Sequence, residues 1–324
     1  MAHGLTASVE RRRLLCEALA GPLKGQFENS VQWFYDPMAV TAFAGKMDEQ
    51  AVVYDCMDEL SQFKFAPPEL IQRERQLLAL ADVVFAGGRK MYESKSRFNS
   101  NCYFYGCGVD VDHFAKALSK DTPVPADIAH LEGPVLGYFG VVDERLDYDL
   151  IAKIADARPD WNVVMVGPTA KVDPEALPQR PNLHWMGGRD YKDLPAYTKR
   201  FDVCLMPFAL NEATEYINPT KALEYMATAT PIVSTEVPDV VSNFGSVVKI
   251  AHSHDAFVWL CQASLEYPDR VNIERGIRMA KDNTWDAIVA KLEGHIDEAL
   301  VQKNREELGD VRVASPVAAA VSAA

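Results

Sequence analysis

Asn218-Pro-Thr-Lys-Ala-Leu-Glu-Tyr-Met-Ala-Thr-Ala-Thr-Pro-Ile-Val-Ser-Thr235 is the stretch on which the reading of the chain turns. Pro219 suits the first turn of a helix, because the N–H it lacks would have no intrahelical partner there. Asn218 is then the expected N-cap. Leu223, Met226 and Ala227 share one apolar face at offsets of three and four, and Lys221 and Glu224 lie one turn apart on the neighbouring face. Pro231 stops the helix and Ile232-Val233 opens a buried strand. A basic residue at a helix start, with its free N–H groups and positive dipole end, suits a phosphate. Glu224, further in, can accept hydrogen bonds from sugar hydroxyls. The spacing therefore predicts a nucleotide-diphosphate site. The same residues also fit a capped surface helix with solvated Lys and Glu.

Upstream of this stretch, short apolar runs alternate with helical segments, the pattern of a parallel α/β sheet. Val135-Leu-Gly-Tyr-Phe139 leads to Gly140 and a helix from Tyr148 to Ala157. Trp161 to Val166 ends in Gly167-Pro168, Leu183 to Met186 ends in Gly187-Gly188 before a short helix from Leu194 to Arg200, and Asp202 to Met206 ends in Pro207. Downstream come a run at Val247 to Ile250 and helices near 254–266, 270–282 and 284–302. This is the form of a doubly wound nucleotide-binding domain, whose ligand lies at the carboxyl ends of the strands. Gly140, Gly167, Gly187, Gly188 and Pro207 all fall at that edge. The chain has no GxGxxG or GxxxxGK[ST], which argues against a dinucleotide oxidoreductase and a P-loop NTPase.

A first series precedes it. A helix is predicted over 8–24, stopped by Gly21-Pro22. Runs at Val31 to Tyr35, Ala51 to Tyr54, Asp82 to Phe85 and Cys102 to Tyr105 then alternate with helices near 37–46, 68–80 and 89–98, a small sheet of four strands. Pro123, Pro125 and Pro134, and weak apolar periodicity, predict a linker over 116–133. The domains expected are thus 1–115 and 134–303, with 304–324 a disordered tail.

With 324 residues the chain can bury two cores, and it contains no run long and apolar enough to suggest a membrane span or a signal peptide. A cytoplasmic location is expected. Six cysteines form no CxxC, which predicts reduced, structural thiols and no metal site. The net charge of −13 argues against nucleic acid as a partner. Two basic clusters, Arg11 to Arg13 and Arg89, Lys90, Lys95 and Arg97, are read as solvated helix faces, a peripheral contact with the inner face of an anionic membrane being the alternative.

In this order the elements resemble the GT-B glycosyltransferases, within them the retaining, family-4-like group that uses sugar nucleotides. Pro219 to Ala227 with Pro231-Ile-Val-Ser234, and Phe201-Asp-Val-Cys-Leu-Met-Pro-Phe208, carry most of the likeness. Ala81 to Phe85, Tyr105-Gly-Cys-Gly-Val-Asp110, and Trp285 in the final helix add to it, and Val53 to Glu59, Gly137 to Gly140 and Asp143 to Asp147 are similar to a bacterial subgroup. The resemblance covers roughly residues 30 to 300. It implies two Rossmann-like domains with parallel sheets, the second binding the donor and the final helix crossing back to the first. The first domain looks incomplete, since about three βα units that precede the Val31 strand in that group have no counterpart, leaving Trp33 on a sheet edge. A partner chain completing that domain is one consequence.

The resemblance implies roles for particular residues. Glu224 matches the second Glu of a Glu-x7-Glu motif, expected on the donor ribose. Tyr216 stands where the first Glu would be, and Glu215 is the neighbouring carboxylate candidate for the donor sugar, with Glu212 further off. Arg145 and Lys221 are the diphosphate clamp candidates, alongside Pro219, Thr220 and the glycines Gly140, Gly167 and Gly187; an ion pair of Arg145 with Asp143 or Asp149 is the alternative use of that side chain. In the first domain Asp36, Asp55, Asp58 and Glu59 can orient an acceptor hydroxyl or serve as helix caps, with Asp58 the candidate base. His113 and His130 are assigned no role. The expected activity is retaining transfer of a hexose from a UDP- or GDP-sugar to a glycan or lipid-linked acceptor, with no cofactor and no metal, there being no DxD. A non-catalytic sugar-nucleotide-binding or partner subunit is the alternative. A UDP-sugar epimerase is disfavoured, because its likeness would run through other motifs.

Overall fold

The computed structural model describes residues 2–62, 66–211, 214 and 220–314. Described residues up to Tyr105, together with those from Val289 onward, form one compact unit, and Gly106–Ile288 form a second. The first unit contains α1 (Ala2–Ala20), β1 (Val31–Phe34), α2 (Val40–Phe43), β2 (Ala51–Cys56), α3 (Leu70–Leu80), β3 (Val83–Ala86), α4 (Arg89–Lys95) and β4 (Cys102–Phe104). Its sheet is parallel, in the order β1-β2-β3-β4. β2 and β3 are buried along their whole length and are apolar apart from Asp55 in β2, whereas β1, at the edge, leaves Trp33 38% exposed. A helix expected over 37–46 is instead a 3-10 turn at Pro37–Ala39 followed by α2, and Gly45, with φ of 70°, turns the chain out.

The second unit holds α5 (Val111–Phe114), α6 (Ala126–Ala129), β5 (Val135–Phe139), α7 (Tyr148–Ala157), β6 (Asn162–Val166), β7 (Leu183–Gly187), α8 (Leu194–Thr198), β8 (Val203–Met206), α9 (Lys221–Ala227), β9 (Ile232–Thr235), α10 (Pro238–Phe244), β10 (Lys249–Ala251), α11 (His254–Glu266) and α12 (Arg270–Asp282). The last helix, α13 (Trp285–Ala314), begins in this unit and continues in the first. All six strands are parallel, in the order β10-β9-β8-β5-β6-β7. Strand order reverses between β5 and β8. In a doubly wound sheet that switch point opens a crevice at the carboxyl ends. α7 shows how local chemistry fixes this layer. Asp147 accepts a hydrogen bond from Leu150 N at 2.8 Å as N-cap, worth about 1 kcal/mol, and Leu150, Ile151, Ile154 and Ala155 bury one face in the core.

Two boundaries differ from the sequence expectation. The stretch 116–133 is part of the second unit: Ile128 is fully buried in its core cluster, and Lys199 Nζ donates to the Thr122 carbonyl at 2.6 Å. Its prolines shape a packed loop, and composition alone could not separate that from a linker. The helical backbone of α13 runs to Ala314, so residues 304–314 of the expected tail are helical. The basic cluster at residues 89–97 is also divided, because Lys95 lies inside the first unit, paired with Glu59 and Glu74, and the guanidinium of Arg89 lies 4.9 Å from the Phe104 ring. In α1, Arg13 is paired with Glu10 and Glu17. Cys56, Cys102, Cys204 and Cys261 are buried thiols, Cys107 is half-buried and Cys16 exposed.

Candidate functional site

The carboxyl edge of the second sheet is held together by the turn glycines. Gly140 follows β5 and donates its N–H to Val166 O at 2.8 Å, while Gly167, after β6, donates to Gly187 O at 2.9 Å. Their φ angles, 143° and 156°, are open only to glycine at low cost. A Cβ on Gly167 would fall 1.7 Å from Gly140 O, and one on Gly140 would fall 2.1 Å from Lys221 Cε. Gly187, at φ 69°, ends β7, where a Cβ would lie 4.0 Å from Arg189 Nη1.

Lys221 thus crosses directly over Gly140. Its Nζ stands 5.8 Å from the Tyr138 ring centroid, a cation held near an aromatic face. Nζ has no hydrogen-bond or ion-pair partner among the described residues, and neither has the Glu224 carboxylate. Both side chains are half-buried. Desolvation lowers the Lys221 ammonium below the usual lysine range, the charge of Glu224 only partly restoring it. Burial raises the Glu224 carboxyl, and Lys221 draws it partly back. An anion binding Lys221 would supply what the protein does not. α9 is anchored below them by Phe139 N, which donates to the Tyr225 hydroxyl at 3.0 Å across to β5. With seven residues, α9 contributes a modest dipole, so the side chains carry the site's charge. The helix starts at Lys221, with Thr220 rather than Asn218 in the N-cap position; the Thr220 carbonyl accepts from Leu223 N and Glu224 N, and its side chain makes no cap hydrogen bond. Pro219, Glu215, Asn218, Tyr216 and Glu212 lie outside the described residues.

Arg145 takes up the alternative foreseen for it. Its Nε bonds both oxygens of Asp143 at 2.9 and 3.0 Å, and its Nη2 bonds Oδ2 at 2.6 Å. Burial raises the Asp143 carboxyl, but Arg145 more than offsets this and holds it below the usual carboxylate range. In the first unit, Asp58 is exposed just past the end of β2, Glu59 is engaged by Lys95, Asp36 accepts from Met38 N at 2.9 Å, and Asp55 accepts from Trp33 Nε1 at 3.2 Å. Among the described residues no group of three or more His, Cys, Asp and Glu could hold a metal ion.

Four further residues to which the sequence gives no site role contribute. Tyr138 lies in a strand buried on both faces, where nothing in the pattern distinguishes a site residue from a core residue. Asp143 was considered only as a competitor for Arg145. Tyr191 and His113 come from distant elements: their rings stack at 4.4 Å and 11°, and His113 Nε2 lies 2.9 Å from Tyr191 O. Burial raises the Tyr191 hydroxyl, and the charges of Glu224 and Asp110 add to this.

Residues 133–263 match the family described as Glycosyl transferases group 1. The "Putative teichuronic acid biosynthesis glycosyltransferase TuaH" of Bacillus subtilis (strain 168) is 28% identical over 206 residues, 58% of this chain and 51% of that protein. The chain thus spans about half the length of the curated relative it matches. Among solved structures, a sucrose-phosphate synthase of Thermosynechococcus elongatus aligns with a TM-score of 0.65 at 16% identity, covering 91% of this chain and 79% of that one. HepE of Anabaena in complex with UDP aligns with 0.65 at 13%, covering 90% and 82%. An alpha,alpha-trehalose-phosphate synthase (UDP-forming) of Burkholderia xenovorans aligns with 0.63 at 15%, covering 88% and 75%. The chain therefore has the GT-B fold of these neighbours, with two parallel Rossmann-like sheets, and its residues 133–263 match the Glycosyl transferases group 1 family.

Proposed function

We propose that this chain transfers a hexose, with retention, from a UDP- or GDP-sugar to a glycan or lipid-linked acceptor. The observation that carries the reading is the pair Lys221 and Glu224. They are an ammonium and a carboxylate without partners among the described residues, next to the strand-order reversal and in a domain of glycosyltransferase sequence. Lys221 is assigned to the donor diphosphate, where it would neutralise charge that grows as the bond from the anomeric carbon to the diphosphate oxygen breaks. Glu224 is assigned to the ribose hydroxyls. Gly140, Gly167, Gly187, Pro219 and Thr220 would let the donor approach the backbone. In transfer an acceptor hydroxyl oxygen bonds the anomeric carbon, the nucleotide diphosphate leaves, and the hydroxyl proton passes to a base. Asp58 and Glu215 are the carboxylates proposed for orienting acceptor and donor sugar. Retention rests on the sequence resemblance. UDP as the base-bearing group is supported by HepE, a neighbour in fold that was solved with UDP. Buried free thiols fit a cytoplasmic setting.

The Arg145–Asp143 ion pair favours a second reading, nucleotide-sugar binding without transfer, because it occupies the other clamp candidate. Calorimetric titration with UDP and GDP, followed by a donor-hydrolysis and transfer assay, tests both. Binding with turnover is expected. Binding without turnover leaves the second reading, and no binding of either nucleotide ends both.

A further inference from the structure

The α13-facing side of the first sheet is covered unevenly. Leu292, Ile296 and Ala299 of α13 pack with Val53, Val83 and Phe85, whereas the end of β1 on this side is open. There Trp33 is 38% exposed and Tyr35 61% exposed, their ring centroids 6.5 Å apart. Trp33 rests on Phe85 at 5.7 Å, which fixes the indole as a shelf. Asp55, 8% exposed, sits behind it and accepts from Trp33 Nε1 at 3.2 Å, its one side-chain hydrogen bond among the described residues. A carboxylate with about four lone-pair sites is thus nine-tenths buried with one long hydrogen bond, next to two exposed aromatic faces. Burial raises its pKa, with the Trp33 N–H drawing it partly back, as expected of a carboxylate short of donors. Core aromatics without a ligand need no such acceptor, and a purely apolar partner would leave its remaining lone pairs without donors.

We infer that Trp33, Tyr35 and Asp55 form a saccharide-binding shelf, on which the apolar C–H face of a neutral or amino-sugar ring lies against the aromatic faces and its hydroxyl or ammonium hydrogens donate to Asp55. Asp36 and Asp58, exposed just past the ends of β1 and β2, give this edge a negative field, so a uronate or a phosphosugar is rejected. Saccharide binding here stands on this geometry alone; its identity as the acceptor rests on the transferase reading.

The test is saturation-transfer NMR on the full chain with methyl glucoside, glucosamine and methyl glucuronide, with UDP affinity followed in parallel by calorimetry. Transfer to ring C–H protons is expected for the neutral or the amino sugar and not for the uronate. Tyr35→Ala, at an exposed position, should weaken binding about fivefold and Asp55→Asn about tenfold, while Trp33→Phe retains binding and UDP affinity moves less than about twofold in all three. Absence of transfer with both non-acidic sugars, equal binding of the uronate, or unchanged sugar binding in Tyr35→Ala and Asp55→Asn each overturns the inference. So does self-association in sedimentation that Tyr35→Ala abolishes while no sugar binds. Sugar binding that depends on Tyr35 in a chain that binds no nucleotide would sustain the shelf and end the transferase reading.

Discussion

The Lys221 side chain occupies the volume that a Cβ on Gly140 would need: the two carbons would be 2.1 Å apart, and Nζ would be 2.7 Å away. Gly140 is therefore as much a part of the cation's position as the lysine itself. Gly140→Ala must push Lys221 aside and also strain a backbone at φ 143°. It is expected to weaken UDP affinity at least about tenfold, close to the loss from Lys221→Met, and the double variant should lose little more than either alone. Additive losses in the calorimetric cycle would show that the glycine acts apart from the lysine.

Binding should follow a bell-shaped pH profile. Glu224 is raised by burial, so on acidification it gains its proton at a higher pH than an ordinary glutamate and ceases to be a full acceptor for sugar hydroxyls. Lys221 is lowered by desolvation, so on the alkaline side it loses its charge earlier than an ordinary lysine. Nucleotide affinity measured across the pH range should fall on both sides. Glu224→Gln is expected to remove the acid limb and leave the alkaline one, and Glu224→Ala to weaken binding about tenfold at neutral pH. An acid limb that survives in Glu224→Gln would place the titrating group elsewhere.

The second sheet was legible in the sequence because β5, β6, β8 and β9 are short apolar runs that end in glycine or proline, or begin after proline, and a parallel sheet covered on both faces leaves that pattern. Lys221 and Glu224 were legible because a helical offset of three places them on one face. What local pattern could not show was how distant elements use the same charges. For Arg145 the sequence offers a diphosphate clamp or an ion pair with Asp143 or Asp149, and only the folded turn selects Asp143. Lys95 looked like one of four exposed bases because its partners, Glu59 and Glu74, precede it by 36 and 21 residues. Trp33 and Asp55 lie 22 residues apart and meet only through the register that sets Trp33 beside Val53 in the neighbouring strand.

Arg145 is expected to matter less than its position suggests. With three hydrogen bonds to Asp143, it must leave a satisfied partner to reach a diphosphate. Arg145→Ala should change UDP affinity less than about threefold, whereas Asp143→Asn, which frees the guanidinium, should tighten it by a similar factor. If Arg145→Ala instead costs as much as Lys221→Met, the ion pair opens on binding and Arg145 belongs to the clamp.

Transfer should survive chelation. The described residues offer no group of His, Cys, Asp and Glu able to hold a metal, and Lys221 is available to offset the leaving group's charge. Turnover in EDTA is expected to stay within about twofold of the untreated rate. A loss that magnesium restores would assign the charge to a donor-bound ion.

The buried cation in the first unit sets a prediction of stability. Lys95, its side chain 5% exposed, lies 2.8 Å from Glu59 Oε2 and 2.7 Å from Glu74 Oε2, and the Tyr54 hydroxyl donates to Glu74 Oε1 at 2.9 Å. Lys95→Met leaves two partly buried carboxylates without their counter-ion, which costs about 3 kcal/mol near neutral pH. Burial raises the Glu59 carboxyl, but Lys95 and Ser61 more than offset it, so its folded pKa lies below the ordinary 4.5. The unfolded chain then binds the proton first on acidification. The parent's contribution is therefore complete above 4.5 and is lost as pH falls through the depressed folded value. In Lys95→Met the sign reverses, because Glu59, desolvated and without its counter-ion, takes up a proton more readily folded than unfolded, and acid relieves it. Urea unfolding of both proteins from neutral pH down to about pH 4 should show the gap narrowing steadily. A gap that is constant with pH would mean that Lys95 stabilises the unit through the packing of its aliphatic stem, which methionine replaces poorly, and not through its charge.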